Sequence, residues 1–268
     1  MINHISFPNL GLEFQINRVA FTVFGMPVYL YGILIALGLV LAFIYASKET
    51  KRVGISQDDF INMFLIGIPA SVIGARLYYV IFSWDYYKNN LTEIFNIRGG
   101  GIAIYGAVIG AALTVLIYCR IKKIHIGKVL DVLAIGLLIG QAIGRWGNFV
   151  NGEAFGSETD LLWSMTVMRD GRMVASAVHP TFLYESLWNL LGILALLLYK
   201  RRKIFEGELF CGYMVWYGFG RMIIEGLRTD SLYIGAFRVS QLLSVVLIAA
   251  GVIIIAINRK KYLTNKYF

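Results

Sequence analysis

Residues 239–257 read VSQLLSVVLIAAGVIIIAI, and no charged side chain interrupts these 19 positions. A transmembrane helix needs about 20 predominantly apolar residues to cross the hydrocarbon core of a bilayer. The stretch lies in a predicted span over 236–257, and six other predicted spans precede it, at 20–46, 59–83, 102–119, 128–144, 180–199 and 208–226. The sequence therefore predicts an all-α polytopic membrane protein with about seven transmembrane helices.

The composition of the 268-residue chain supports this class. Hydrophobic residues make up 58% of the chain and charged residues 15%, against roughly 25% charged residues in a typical soluble domain. These proportions exclude a soluble globular enzyme, a disordered chain and a disulfide-stapled secreted module. In so apolar a chain, the net charge of +9 is better explained as a topology signal than as a nucleic-acid-binding surface. We therefore expect a membrane environment and no nucleic-acid partner.

The distribution of lysine and arginine predicts the orientation in the membrane. Alternate connections hold 15 of the 25 basic residues, at 48–52, 120–128, 200–203 and 259–266. Because cytoplasmic connections carry the excess of lysine and arginine, the N-terminus is predicted outside and the C-terminus in the cytoplasm. Nine of the other ten basic residues are arginines, and topology alone does not explain them.

The longest connection, 145–179, is predicted to form a small extracytoplasmic head within a single integral membrane domain, 1–268. Inside it, the segment Arg169-Asp170-Gly171-Arg172 separates two short stretches, Trp163–Met168 and Met173-Val174. An Asp-Gly pair between such stretches is typical of a two-residue hairpin turn. We therefore predict a β-hairpin in the head.

The most polar stretch of the chain is Gly144–Gly156, which reads GRWGNFVNGEAFG. It places Arg145, Asn148, Asn151 and Glu153 among four glycines at the end of a predicted span. Burying such groups is unfavourable unless they find partners or bind a ligand. Two interpretations are open. Arg145 and Glu153 pair at a helix end, or the donor fork of Arg145 binds the oxygens of an anion such as phosphate.

A second polar group occupies one helix face in the predicted span 208–226. Tyr217, Arg221, Glu225 and Arg228 follow one another at offsets of four, four and three residues. One interpretation is a ladder of ion pairs that holds helices together. The cost of three charges in or near an apolar span favours the other, in which Arg221 supplies positive potential to a ligand and Glu225 orients it.

Four other polar residues have structural explanations when each is considered alone. We expect snorkelling for Arg76, interfacial packing for Tyr105, helix capping for His179 and a structural or capping role for Asp131. The sequence contains no nucleophile elbow and no histidine pair at zinc spacing, so we expect no metal and no cofactor. The natural ligand for the arginines is an anionic lipid headgroup.

These motifs resemble those of the prolipoprotein diacylglyceryl transferases. Residues 144–156 match the family signature Gly-Arg-x-Gly-Asn-Phe-x-Asn-x-Glu-x-x-Gly at every specified position. Other segments match in the same order as in the family, namely Tyr31-Gly32, GARLYY at 74–79, GGIAI at 100–104, His179–Thr181 with Tyr184-Glu185, and Tyr217 through Arg221 to Glu225.

The resemblance implies a lipid transfer reaction at the bacterial plasma membrane. The diacylglyceryl group of phosphatidylglycerol moves to the thiol of the lipobox cysteine of a prolipoprotein, which forms a thioether and releases glycerol phosphate. By motif, Arg145 binds the headgroup and Arg221 assists it. The other site residues that the resemblance implies are Tyr31, Asn148, Asn151, Glu153 and Gly156 in the polar pocket, with Tyr217 and Glu225 holding Arg221.

One position departs from the family pattern. Many members carry a histidine, often assigned as the thiol's base, in a His-Gly-Gly segment where this chain has Tyr105-Gly106-Ala107. Our hypothesis is that Tyr105 positions the lipid or the thiol, and that water or Glu153 takes the proton. The alternative from another class is an anion or lipid transporter that uses the same arginines. No internal repeat is evident and the polar groups are concentrated toward the outer side, which disfavours a transporter.

Overall fold

The computed structural model describes residues 2–97 and 100–267, with side chains described as far as Thr264. The α-helices are α1 (Leu30–Val53), α2 (Gln57–Phe82), α3 (Trp84–Tyr87), α4 (Ile104–Lys122), α5 (Ile126–Asn151), α6 (Thr181–Tyr199), α7 (Glu208–Leu227) and α8 (Val239–Tyr267). The β-strands are β1 (Ile2–Phe7), β2 (Leu12–Asn17), β3 (Val19–Val23), β4 (Met26–Tyr29), β5 (Met165–Arg169), β6 (Arg172–Val178), β7 (Tyr233–Ile234) and β8 (Phe237–Arg238).

Within the described residues, six helices are long and apolar enough to cross a membrane: α1, α2, α4, α5, α6 and α8. This confirms a mostly helical polytopic membrane protein. Helix α7 has 20 residues but is not among the six, since Glu208, Arg221 and Glu225 lie within its length. The count of seven spans therefore stays a prediction.

Several predicted span boundaries were wrong, and the first and last helices continue beyond their predicted ends to Val53 and Tyr267. Residues 20–29, assigned to the first span, belong largely to the hairpin of β3 and β4, whose turn residues Phe24 and Gly25 have φ of 48° and 78°. The strand residues are apolar, and the criterion of about 20 apolar residues does not detect a turn, so the predicted span began too early. The fourth span, predicted to end at 144, continues as helix α5 to Asn151. Its last two turns are polar and have partners elsewhere in the fold, which apolarity alone does not detect.

The predicted hairpin is present as β5 and β6, and its turn residues Asp170 and Gly171 both have positive φ. Strands β1 and β2 extend it to a four-stranded antiparallel sheet in the order β2-β1-β5-β6. These N-terminal strands were not predicted. The apolar face of the sheet, including Ile5 and Val167, packs against Phe149 of α5 and Phe182 of α6. The sheet thus shares its core with the helix ends that carry the polar motifs.

Contacts divide the chain into two compact units. The first comprises Met1–Ala46 and Leu130–Phe268 and contains the sheet, most of α5, and α6 to α8. Besides the core under the sheet, it has a second core in which Ile135 and Leu138 of α5 pack with Leu196, Leu209 and Tyr213.

The second unit, Ser47–Val129, is built around α2 and α4. These helices cross where Gly74 faces Gly106, and a side chain on either glycine would collide with the carbonyl oxygen of the other. Small residues at such a crossing let two membrane helices pack closely.

Candidate active site

One buried carboxylate contacts three guanidinium groups in the first unit. Glu185, in the second turn of α6, is 5% exposed. Its Oε2 lies 2.6 Å from Arg145 Nη2, and its Oε1 lies 3.2 Å from Arg221 Nη1 and 3.4 Å from Arg228 Nη1. Arg145 belongs to α5, Arg221 to α7, and Arg228 directly follows α7. Glu185 therefore joins three helices at one point, and we call this set the arginine cluster.

Two further carboxylates complete the pairing of the arginine cluster. Arg221 Nη2 lies 2.6 Å from Glu225 Oε2, one helical turn further along α7. Arg228 donates to both oxygens of Asp230, at 2.9 and 2.7 Å. Burial raises the pKa of the Asp230 carboxyl, but the hydrogen bonds and charge of Arg228 outweigh this effect and hold that pKa below its ordinary value. Three arginines thus face three carboxylates, so the arginine cluster carries little net charge.

The polar end of α5 forms a chain of hydrogen bonds from Arg145 to Glu153. Arg145 Nη1 donates to Asn148 Oδ1 at 3.3 Å, and the amide nitrogens of Asn148 and Asn151 each donate to Glu153 Oε1 at 3.2 Å. The direct Arg145–Glu153 pair that the sequence left open is not formed, because Arg145 pairs with Glu185. Two of the five N–H groups of Arg145 have protein partners in the described residues.

The glycines of this stretch permit close packing around the site. A Cβ atom on Gly147 would lie 2.6 Å from Cδ2 of Tyr31, and one on Gly156 would lie 2.7 Å from Cβ of His179. Gly152 has φ of 61°, a conformation that side chains disfavour. Gly147 therefore lets the ring of Tyr31 pack closely against α5. Together with Asn151, Tyr31 lines a cavity of about 570 Å³.

Tyr217 lies beside the arginine cluster, but its partner is not Arg221 as the sequence suggested. Its ring stacks on Tyr213, with centroids 5.6 Å apart, and it lines a cavity of about 10 Å³ with Arg221 and Glu185. A cavity of that size holds about one water molecule. Among the described contacts, Tyr217 makes no hydrogen bond to Arg221, whereas Glu225 does hold Arg221 by an ion pair.

Comparison with known proteins identifies the family of this chain. The model of the prolipoprotein diacylglyceryl transferase family matches residues 18–257. The chain belongs to this family. It is 47% identical to the phosphatidylglycerol–prolipoprotein diacylglyceryl transferase of Clostridioides difficile over 249 residues, which cover 93% of this chain and 98% of the relative.

Other relatives of the same name are similar over nearly their whole length. The protein from Finegoldia magna is 50% identical over 239 residues, which cover 89% of this chain and 94% of the relative. The protein from Listeria monocytogenes serotype 4b is 48% identical over 263 residues, which cover 94% and 95% of the two chains.

Tyr105, which stands where many members of this transferase family carry histidine, lies in the second unit. It is in the first turn of α4, half-buried, and its ring centroid is 6.2 Å from that of Tyr78 on α2. It directly precedes Gly106, the residue at the close crossing of α2 and α4. Its backbone is therefore held by helix packing within that unit. Its role in the reaction stays a prediction.

Arg76 is buried, so the snorkelling predicted for it was wrong. Its side chain donates to four backbone carbonyls between residues 93 and 101, at 2.5 to 2.8 Å, and its guanidinium lies 5.2 Å from the ring centroid of Tyr87. Gly100 and Gly101 have positive φ, and a Cβ on Gly101 would meet Nη1 of Arg76. Arg76 thus fixes the segment that leads into α4.

His179 and Asp131 had been given structural roles, and the structure supports one of them. Pro180, not His179, is the N-cap of α6, and His179 Nδ1 lies 3.2 Å from the hydroxyl of Tyr184. Capping by His179 was therefore wrong. Asp131 accepts hydrogen bonds from the backbone N–H groups of Gly207 and Phe210 at the start of α7 and pairs with Lys203. The capping role of Asp131 is confirmed, although the helix it caps is α7.

Glu185 is the functional candidate that the sequence interpretation underused. The sequence patterns place it only within the motif that begins at His179. The signal was present, because Glu185 is the single charged residue in the 19 residues of α6. A lone carboxylate in an apolar helix requires a cationic partner, and three arginines at unexplained positions were available.

Proposed function

We propose that this chain transfers the diacylglyceryl group of phosphatidylglycerol to the lipobox cysteine of prolipoproteins. The reaction forms a thioether, releases glycerol phosphate and is the first step of lipoprotein maturation. The relatives whose names state phosphatidylglycerol and prolipoprotein align over nearly the whole chain. The structural observation that carries the proposal is the arginine cluster on Glu185 beside the polar end of α5.

The chemistry requires stabilisation of a phosphate leaving group. The cysteine sulfur attacks the glycerol carbon that bears the phosphate ester, so a carbon–sulfur bond forms as the carbon–oxygen bond breaks. The electron pair of the broken bond stays on the oxygen of the departing glycerol phosphate. Within the described residues, Arg145 has N–H groups without protein partners, and we assign it to the phosphate oxygens, with Arg221 assisting. Fixed donors in a site poor in water stabilise such developing charge.

Glu185 and Glu225 act in this proposal as positioning residues. Each ion pair restricts a guanidinium that would otherwise have about 2 kcal/mol of rotamer entropy. Their contacts hold Arg145 and Arg221 in place before the lipid arrives. Tyr217, by stacking on Tyr213, shapes the small cavity next to Arg221. Gly156 contributes its backbone N–H to His179 O at 2.9 Å, which joins the end of the signature to the start of α6.

We assign the thiol proton to Glu153. A free thiol has a pKa of about 8.5, so only a few per cent is thiolate at neutral pH and an acceptor is useful. Glu185, Glu225 and Asp230 each form an ion pair with an arginine, so their oxygens are already engaged. In the described part of the chain, Glu153 has only the neutral amide donors Asn148 and Asn151. It is therefore the carboxylate of the site best suited to accept a proton.

In this proposal the chain crosses the bacterial plasma membrane seven times. The seven spans are the six long apolar helices and, in addition, α7. The 26 residues of α5 give a length of about 39 Å, enough to cross a hydrocarbon core of about 30 Å. The basic connection 120–128 lies at the N-terminal end of α5, and Arg145 lies near its C-terminal end. With basic connections in the cytoplasm, the arginine cluster is on the outer side, where an exported precursor presents its cysteine.

Mass spectrometry of a lipobox peptide tests the proposal. Purified protein in detergent, incubated with phosphatidylglycerol and the peptide, is expected to add the mass of one diacylglyceryl group. A peptide with serine in place of cysteine, and phosphatidylcholine in place of phosphatidylglycerol, should give no product. A folded protein that yields no mass shift would refute the transferase function and favour lipid transport.

The same assay tests the role of Arg145. Arg145→Ala should lower the rate about 10²- to 10³-fold or more, as expected for loss of a main electrostatic stabiliser. Arg145→Lys should recover little, because lysine lacks the planar donor fork. Arg172→Ala, at an exposed arginine of β6, is the matched control and should behave as wild type. Near wild-type turnover by Arg145→Ala would remove Arg145 from the mechanism.

A further inference from the structure

The 570 Å³ cavity contains an arginine that the proposed reaction does not use. The cavity lies in the first unit and is lined by Arg18, Val28, Tyr29, Tyr31, Gly32 and Asn151. Its volume falls within the roughly 300–1,000 Å³ typical of small-molecule sites. The close packing of Tyr31 against Gly147 gives one wall of the cavity a defined shape.

Arg18 is held in place by its backbone but has few partners for its side chain. Its carbonyl oxygen accepts a hydrogen bond from the N–H of Leu30 at 2.9 Å, which fixes it beside the start of α1. The carboxylate paired with it, that of Asp170, is 3.8 Å away and 58% exposed. Nε of Arg18 is buried and has no hydrogen-bond partner among the described residues. Because Nε is closed off from solvent, the donors that a ligand oxygen can reach are the terminal guanidinium nitrogens of this side chain, which is 24% exposed.

The chemistry of the cavity wall selects an anion. Arg18 supplies the positive charge, and no carboxylate lines the cavity in the described structure. Tyr29, Tyr31 and Asn151 are the other polar residues of the lining, and side chains of these types can donate to the same oxygens that a guanidinium binds. A group with several acceptor oxygens and negative charge, such as a phosphate ester, fits this set of donors.

The cavity is also connected to the arginine cluster through hydrogen bonds. Asn151 donates to Glu153, which accepts from Asn148, which in turn accepts from Arg145. All of these residues belong to the same unit. A phosphate ester in the cavity is therefore next to the polar chain that ends at the proposed headgroup site.

We infer that Arg18 binds the phosphate oxygens of a phosphate ester in this cavity, as an anion subsite additional to Arg145. The inference rests on the proposed function, in which the lipid substrate and the released glycerol phosphate both carry this group. The shared ligand chemistry is the phosphate ester, and its source is either a lipid headgroup or the free glycerol phosphate.

Binding measurements on the full-length protein in detergent test this subsite without requiring turnover. Calorimetric titration with glycerol phosphate measures the free ester, and native mass spectrometry measures retained phosphatidylglycerol against phosphatidylcholine. Arg18→Gln should weaken binding about tenfold or more, the loss expected for a hydrogen bond to a charged group. Arg172→Gln removes an exposed arginine of β6 that does not line the cavity, and this variant should bind as wild type.

The two arms distinguish the source of the phosphate. Loss of binding only for glycerol phosphate assigns the subsite to the product, and loss only for phosphatidylglycerol assigns it to the lipid. Unchanged binding of both by folded Arg18→Gln overturns the inference. If Arg18→Gln does not fold, Arg18→Lys decides, because a drop in affinity supports the subsite and an unchanged affinity overturns it.

The proposed function and the subsite can fail separately. If the wild-type protein transfers no diacylglyceryl group but still binds the phosphate ester through Arg18, the proposed function fails and the subsite stands. If transfer occurs and depends on Arg145, but Arg18→Gln binds the phosphate ester as tightly as wild type, only the subsite inference is refuted.

Discussion

At the scale of single residues, Glu185 has more consequences than any other side chain of the site, because three guanidinium groups share its two oxygens. Replacement by glutamine keeps the shape and removes the charge, which leaves the arginines with one carboxylate too few. Breaking a buried pair in this way costs about 3–5 kcal/mol. We therefore expect Glu185→Gln to unfold at a clearly lower temperature and to lose transfer activity, as measured by thermal unfolding and the peptide assay.

A matched control separates this effect from the general loss of a carboxylate. Glu13 lies on the exposed strand β2, and Glu13→Gln should change neither quantity. A Glu185→Gln protein with wild-type unfolding temperature and turnover would show that the arginine cluster does not depend on this carboxylate.

Tyr105 provides the second prediction at this scale. Its ring contacts Tyr78 on α2, and phenylalanine preserves that contact while it removes the hydroxyl. If Glu153 or water takes the thiol proton, Tyr105→Phe should retain measurable transfer, well above Arg145→Ala, and Tyr105→His should be active. A folded, lipid-binding Tyr105→Phe protein as inactive as Arg145→Ala would make the hydroxyl chemically essential.

The candidate site could be predicted from the sequence where its residues form a local pattern. Arg221 and Glu225 are four residues apart on one helix, so their ion pair follows from helical geometry. The partner of Arg145 is 40 residues away on another helix, and nothing local selects Glu185 over Glu153. Long-range pairing depends on how α5, α6 and α7 pack, which a single sequence does not specify.

At the scale of secondary-structure elements, the sheet also has one part that a local sequence pattern predicts and one part that depends on long-range contacts. The hairpin of β5 and β6 was predictable because Asp170-Gly171 adopts the positive φ values that a two-residue hairpin turn requires. Strand β1 pairs with β5 across more than 160 residues of sequence, as in the alignment of Asn3 with Arg169. That pairing is stabilised by burial of Ile5 against the helix ends, a tertiary effect that local composition does not reveal.

Arg76 supports a prediction for the segment between α2 and α4. Lysine has a single ammonium group and cannot donate in the same planar arrangement to the four carbonyls between residues 93 and 101. We expect Arg76→Lys to accelerate hydrogen exchange of the amides in 93–97 and 100–101 by tenfold or more, measured by mass spectrometry.

The control for this experiment is Arg120→Lys, at an exposed position of α4 in the same unit. It should leave exchange in the segment unchanged. Wild-type protection in Arg76→Lys would mean that the segment is held by other contacts, such as the aromatic packing of Tyr79 on Tyr87.

At the scale of the whole molecule, the arrangement of charge connects the fold to the membrane. The arginine cluster is near the last residues of α5, whereas Asp131, near its first residues, pairs with Lys203 and caps α7. At that same end, Glu208 is fully buried and binds Arg259 of α8 at 2.6 Å. The first unit therefore carries one polar network toward each end of α5, and the basic residues Lys203 and Arg259 belong to the networks at the Asp131 end.

This arrangement makes the orientation testable with single cysteines and an impermeant thiol reagent in intact cells. Cys119 and Cys211 are buried and would first be replaced, so that each introduced cysteine is the only reactive thiol. Arg172 and Arg201 are exposed, and Arg201 is preferable to Lys203 because Lys203 pairs with Asp131. With the basic connections in the cytoplasm, a cysteine at Arg172 should react in intact cells and one at Arg201 only after permeabilisation. Labelling at Arg201 without labelling at Arg172 would show that the orientation in the membrane is the reverse of the predicted one. The arginine cluster would then face the cytoplasm, away from an exported cysteine.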